Sequence, residues 1–136
     1  MTDTVLTEID HVAIAVRDLE AAVAWYQDMF GAAVAHREVV DRDGVEEALL
    51  KVADSYVQHL MPVVPSSTVA KFLERHGEVN HHVGYRVDDC GAALETLKRH
   101  GAKVIDEHPR PGSRGTTVAF VHPKAAFGTL IELVQE

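Results

Sequence analysis

Apolar and polar positions along this chain switch between a period of two and a period near 3.6, and the whole alternation is written twice. Ile9-Asp10-His11-Val12-Ala13-Ile14-Ala15-Val16 is a short apolar run rich in β-branched residues, and it reads as a buried strand. Asp18 then stands as a helix N-cap. Leu19, Val23, Tyr26 and Phe30 follow at helical spacing, and Gly31 supplies the stop. Residues 32–40 and 45–50 read as two strands joined by a turn at Asp41-Arg42-Asp43-Gly44. A second turn at Asp54-Ser55 leads to a fourth strand, 56–61, which Pro62 ends. The first half is therefore βαβββ.

The stretch from Pro62 to Gly77 links the halves, and Ser67 caps a short amphipathic helix in it that carries Val69, Phe72 and Leu73. From Asn80 the pattern restarts. A strand around His82 is followed by an Asp89 cap, a helix carrying Ala93, Leu94 and Leu97, and a stop at Gly101. Strands are expected near 102–105, 116–121 and 129–134, with the Gly- and Pro-rich stretch 109–115 as a loop. The second half is again βαβββ. The expected organisation is one domain, 1–136, made of a module at 5–62, a linker at 63–78 and a module at 79–136.

A repeat this long implies two copies of one supersecondary unit. It sets His82 where His11 stood and Asp89 where Asp18 stood. The last strands match too: Val57-Gln58-His59-Leu60 lines up with Ile131-Glu132-Leu133-Val134, so Gln58 corresponds to Glu132. Each half thus offers one imidazole from its first strand and one side-chain oxygen from its last. Two nitrogens and two oxygens on rigid strands form a donor set for a divalent ion, Co²⁺ or Zn²⁺ foremost, with Mn²⁺, Ni²⁺ or Fe²⁺ also suited. His81 and His59 fall on the opposite sides of their strands and are not expected as ligands.

Composition narrows the partners. A net charge of −8 argues against nucleic acid, while a local basic cluster still suits a small anionic ligand. No apolar run reaches the roughly 20 residues that span a membrane, and Met1-Thr2-Asp3-Thr4 lacks a signal-peptide pattern. The single cysteine, Cys90, follows a helix cap, reads as structural and fits a cytoplasmic location.

Several segments carry a resemblance. They are Ile9-Asp10-His11-Val12-Ala13, Ser67-Thr68-Val69-Ala70-Lys71-Phe72-Leu73, His81-His82-Val83, His122-Pro123-Lys124 and Gly128-Thr129-Leu130-Ile131-Glu132-Leu133. With them the chain resembles the vicinal oxygen chelate superfamily and, within it, the methylmalonyl-CoA epimerase family. The resemblance implies an α+β fold whose two βαβββ modules form a cupped mixed sheet around a metal held by His11, Gln58, His82 and Glu132. It also implies interconversion of (2R)- and (2S)-methylmalonyl-CoA by proton removal and return at C2, through a metal-stabilised enolate. The family's base follows a Gly-Val step, which selects Glu47 in Gly44-Val45-Glu46-Glu47, whereas the local pattern alone leaves Glu46 and Glu47 equivalent. Glu132 is implied as the group on the other face. Lys71, Arg110, Arg114 and Lys124 are the basic residues set to meet CoA phosphates, and a homodimer is implied. Competing readings are a glyoxalase I-like lactoylglutathione lyase, an epimerase of another 2-substituted malonyl-CoA, and a non-catalytic binding protein of the same fold.

Overall fold

The computed structural model describes residues 5–136; the segment Met1–Thr4, read above for its lack of a signal pattern, lies outside them. The chain divides into two compact units, one of His11–His81 and one of Met1–Asp10 with His82–Glu136. Both are mixed α and β. The boundaries fall inside the first strand of each repeat rather than in the linker.

In the first unit the elements are β1 (Glu8–Ala15), α1 (Leu19–Phe30), β2 (Val34–Val40), β3 (Val45–Val52), β4 (Ser55–Pro62) and α2 (Thr68–His76). The strand order is β2-β3-β4-β1, with β1 and β4 parallel and the other pairs antiparallel. Asp18 caps α1 by accepting the Ala21 N–H, and Gly31 ends the helix in the left-handed conformation. The β2–β3 turn requires Gly44, whose φ is +64° and where a Cβ would collide with Val64 Cγ2.

Helix α1 covers one face of these strands, packing Leu19 and Val23 against Val16, Ala48 and Leu50. Helix α2 covers part of the other, where Val69 and Leu73 meet Ala13, Ala15, Val45 and Leu60. One irregularity decides which β2 side chains share that second face. Val34 pairs with Leu50 and His36 with Leu49, so Ala35 is an extra residue in a bulge. Beyond it, His36, Glu38 and Val40 lie on the side of Leu49, Glu47 and Val45.

The second unit holds β5 (Asn80–Arg86), α3 (Cys90–Arg99), β6 (Arg110–Pro111), β7 (Thr117–Val121) and β8 (Ile131–Gln135), in the order β5-β8-β7-β6. Its core is Val87, Cys90, Ala93, Leu94, Ala119, Val121 and Leu133. Here three sequence expectations are corrected. The strand expected at 102–105 reduces to a single bridge between Val104 and Val121. The ladder stops because Asp106 Oδ2 accepts the Phe120 N–H at 2.7 Å, taking the donor that a continuing strand would use. Instead β6 forms inside the stretch expected to be only a loop, and Arg110 pairs with Val118. The C-cap of α3 is His100, one residue before the expected glycine.

Candidate active site

The face that α2 only partly covers carries three buried polar residues of the first unit, His11, Glu47 and Gln58. His11 is buried on β1, and Gln58 on β4 is aligned with Ala13, two residues further along the same face. Glu47 on β3 is 1% exposed, and its carboxylate accepts a hydrogen bond from Gln58 Nε2. Gln58 Oε1 is buried with no hydrogen-bond partner. A buried carbonyl oxygen without a donor is costly, and a cation is one way to satisfy it.

The structure separates the two glutamates that the local pattern could not. Glu46 lies on the α1 side, where Arg37 Nη2 donates to it at 3.0 Å while also binding Glu20 at 2.7 Å. The guanidinium holds the Glu20 carboxyl below its ordinary range, first by hydrogen bonding and then by charge. Glu46 is thus tied into a surface network, and Glu47 faces inward beside Gln58.

The second unit repeats the arrangement in its own register. Glu132 on β8 is aligned with Gly84, again two residues beyond the histidine on the same face of β5. His82 Nε2 lies 3.1 Å from Glu132 Oε1, with side chains 4% and 13% exposed. The His82 ring meets Phe120 edge-on at 5.5 Å, and the Arg110 guanidinium lies over the same Phe120 ring at 5.3 Å. Arg110 also pairs with Asp106 at 3.3 Å.

The other basic residues are placed differently. Lys71 is exposed on α2, and Lys124 is exposed in a short 3-10 turn. His122 shapes that turn, its Nδ1 accepting the Lys124 N–H at 3.0 Å. Arg114 is turned to Asp10 Oδ2 and Glu136 Oε1, both at 3.0 Å, so its guanidinium is engaged within the unit. His81 stacks edge-on to Phe72 at 4.7 Å, and His59 to Tyr26 at 4.6 Å. Burial lowers the His59 pKa.

Two polar groups escaped the sequence reading. Asp10 is completely buried and is bound by Arg86 Nη2 at 2.7 Å, Arg86 Nε at 3.1 Å and Arg114 Nη2. Its signal was present: a carboxylate inside an apolar strand demands partners. The second is the pair His36 Nε2 and Glu38 Oε1, 2.8 Å apart on β2. Period-two spacing puts them on one face, but only the bulge says which.

Known proteins share this fold and much of this sequence. Residues 10–120 match the family described as the Glyoxalase/Bleomycin resistance protein/Dioxygenase superfamily. The ethylmalonyl-CoA/methylmalonyl-CoA epimerase of Cereibacter sphaeroides is 39% identical over 130 residues, covering 93% of this chain and 96% of that protein. The crystal structure of methylmalonyl-CoA epimerase from Mycobacterium tuberculosis superposes with a TM-score of 0.94 at 38% identity, covering 99% of this chain and 91% of that one. A methylmalonyl-CoA epimerase in complex with methylmalonyl-CoA and NH4+ gives a TM-score of 0.93 at 40% identity, over 96% of this chain and 95% of that one. With two βαβββ modules in one register, matched over nearly their whole length, the chain belongs to the glyoxalase/bleomycin resistance protein/dioxygenase superfamily and, within it, to the methylmalonyl-CoA epimerase family.

Proposed function

We propose that the protein is an isomerase that interconverts (2R)- and (2S)-methylmalonyl-CoA by removing the proton at C2 and returning it on the opposite face. The observation that carries this reading is Glu47: a buried carboxylate on an apolar strand, bound by a glutamine whose oxygen has no partner. Glu47 takes the α-proton from one face of C2, and Glu132 serves the other. Inversion needs a group on each side, because a planar intermediate reprotonated by one base alone returns the starting epimer. The Gln58 amide holds the Glu47 carboxylate in place by its N–H. The buried surroundings of Glu47 exclude the water that would otherwise solvate it.

His11, Gln58, His82 and Glu132 are the residues we assign to a divalent cation, Co²⁺ or Zn²⁺ foremost. The unpartnered Gln58 Oε1, the adjacent His82 and Glu132 and the N2O2 donor set suit such an ion. When bound, it supplies positive charge against the charge that develops on the thioester oxygen as the α-proton leaves. Lys71, Lys124 and Arg110 meet the CoA phosphates in this reading, while Arg114 acts within the fold. The likeness to the epimerase family supports a homodimer, and the single buried Cys90 suits a reducing cytoplasm. Among the described residues no helix is long and apolar enough to cross a membrane.

The experiment is exchange at C2. Methylmalonyl-CoA incubated with Co²⁺-loaded protein in D2O gains deuterium at C2 while its epimers interconvert. Ethylmalonyl-CoA is run beside it, since the Cereibacter relative is named for both thioesters. A glutathione hemithioacetal is the control. Its isomerisation, without exchange on any malonyl thioester, would overturn the proposal in favour of a lyase.

A further inference from the structure

We propose that His36 and Glu38 form the proton exit of Glu47, carrying the proton that Glu47 removes out to water and bringing one back between turnovers. The inference rests on the epimerase reading. A two-base epimerase finishes each turnover with its protonation states exchanged: the base that accepted a proton holds it, and the opposite group has lost one. Neither can repeat the same direction of reaction until both are reset. For a base open to solvent this is trivial. Glu47 is 1% exposed, and its one described side-chain hydrogen bond is to Gln58 Nε2, an amide that does not carry protons at neutral pH.

The way out lies across the strand pair. Glu38 on β2 is the register partner of Glu47 on β3, so their side chains stand on the same face. The Cβ atoms of such directly opposed residues are about 4.5–5.5 Å apart, which two carboxylates bridge directly or through one water. Next along the same face is His36, whose Nε2 lies 2.8 Å from Glu38 Oε1. The His36 and Glu38 side chains are 34% and 35% exposed, and β2 stands at the end of its unit's strand order. Exposure therefore rises from 1% at Glu47 to about a third at both Glu38 and His36, and each of the three is a proton-carrying group. Imidazole is the side chain whose ordinary pKa suits it best to exchange with water near neutrality.

The step balances as a proton transfer alone. The O–H bond of protonated Glu47 breaks as one forms on the Glu38 carboxylate. The proton then passes to the imidazole, and the imidazolium releases it to water. The bulge at Ala35 makes the path: had the ladder run on in the Val34–Leu50 register, Arg37 and not Glu38 would stand opposite Glu47.

The alternative is that His36 and Glu38 are an ordinary edge-strand pair, worth about 0–1 kcal/mol and irrelevant to turnover. Kinetics separate the two. In trace substrate the base resets between encounters, so His36→Gln and Glu38→Gln keep kcat/KM within about twofold of wild type. At saturation the reset limits turnover, so kcat falls about tenfold or more, a change of about 1.4 kcal/mol in barrier. Millimolar imidazole restores the His36→Gln rate at saturation, because a soluble carrier replaces the missing ring. Unchanged kcat in both variants would overturn the proposal. So would a parallel fall of kcat and kcat/KM that imidazole does not relieve. If wild-type protein fails to exchange the C2 proton at all, the epimerase reading falls first and this one with it. An active wild type with insensitive variants removes the proton exit alone.

Discussion

Replacing Asp10 by Asn changes almost nothing in volume and deletes one buried charge, which makes its expected cost unusually well defined. Asp10 is fully buried, and three guanidinium N–H groups converge on it: Arg86 Nε and Nη2 on Oδ1, and Arg114 Nη2 on Oδ2. Asparagine keeps an oxygen for one pair of donors but turns an NH₂ toward the remaining guanidinium, donor against donor. Removing one partner of a buried ion pair costs about 3–5 kcal/mol. The lower end applies here, because Glu8 still pairs with Arg86 at 2.9 Å and Glu136 with Arg114 at 3.0 Å. A loss of about 3 kcal/mol, with an m-value of about 2 kcal/mol/M, moves the urea midpoint down by about 1.5 M. Glu136→Gln is the control: it touches the same two arginines from a half-exposed position and costs about 0–1 kcal/mol. The shift for Asp10→Asn also persists in high salt, since buried pairs are screened much less. If Asp10→Asn moved the midpoint by no more than Glu136→Gln, the clamp would contribute nothing that water does not, and the reasoning would fail.

Three further outcomes follow from the same geometry. Glu47→Gln lowers C2 proton exchange by about 10²-fold or more, since an amide cannot accept the proton, while Co²⁺ affinity by calorimetry stays near wild type. Burial pushes the Cys90 thiol up to about 11, so an alkylating reagent at pH 8 labels native protein far more slowly than urea-unfolded protein. For this thiol the folded value lies above the ordinary 9.0, so its contribution to stability is complete below pH 9 and is lost towards pH 11. His59 works in the opposite sense. Its pKa is lowered by burial, so its contribution is present above its ordinary 6.5 and is lost as pH falls, and His59→Leu flattens the acid side of the stability profile.

Much of this was readable from the residues because the repeat forces two halves into one register. The caps at Asp18, Ser67 and Asp89 and the stop at Gly31 are local chemistry, and each helix begins where its cap says. The correspondence of Gln58 with Glu132 needs only the period of two, and both units set their oxygen two residues beyond their histidine. Local pattern failed where a side chain competes with a ladder. Nothing near residues 102–105 announces that Asp106 will take the Phe120 N–H. Choosing between Glu46 and Glu47 was beyond local pattern for a related reason: apolar neighbours flank both, and only Arg37 and α1 on one side, against Gln58 on the other, divide them. Arg114 looked like a surface cation because its partner, Asp10, is more than a hundred residues away in sequence.

The bulge at Ala35 gives the β2 strand an uneven tolerance of heritable change. A point substitution at Val34, Ala35 or Arg37 alters one side chain and leaves the faces as they are. Losing the Ala35 codon would only close the bulge and leave Glu38 opposite Glu47, whereas losing the Arg37 codon would set Val39 opposite Glu47 or, if the bulge closed in compensation, turn His36 to the other face. Drift by substitution is therefore cheap along this edge, whereas drift in length is open at the bulge, where the extra residue can be lost without changing the register beyond it, and closed between His36 and Glu38.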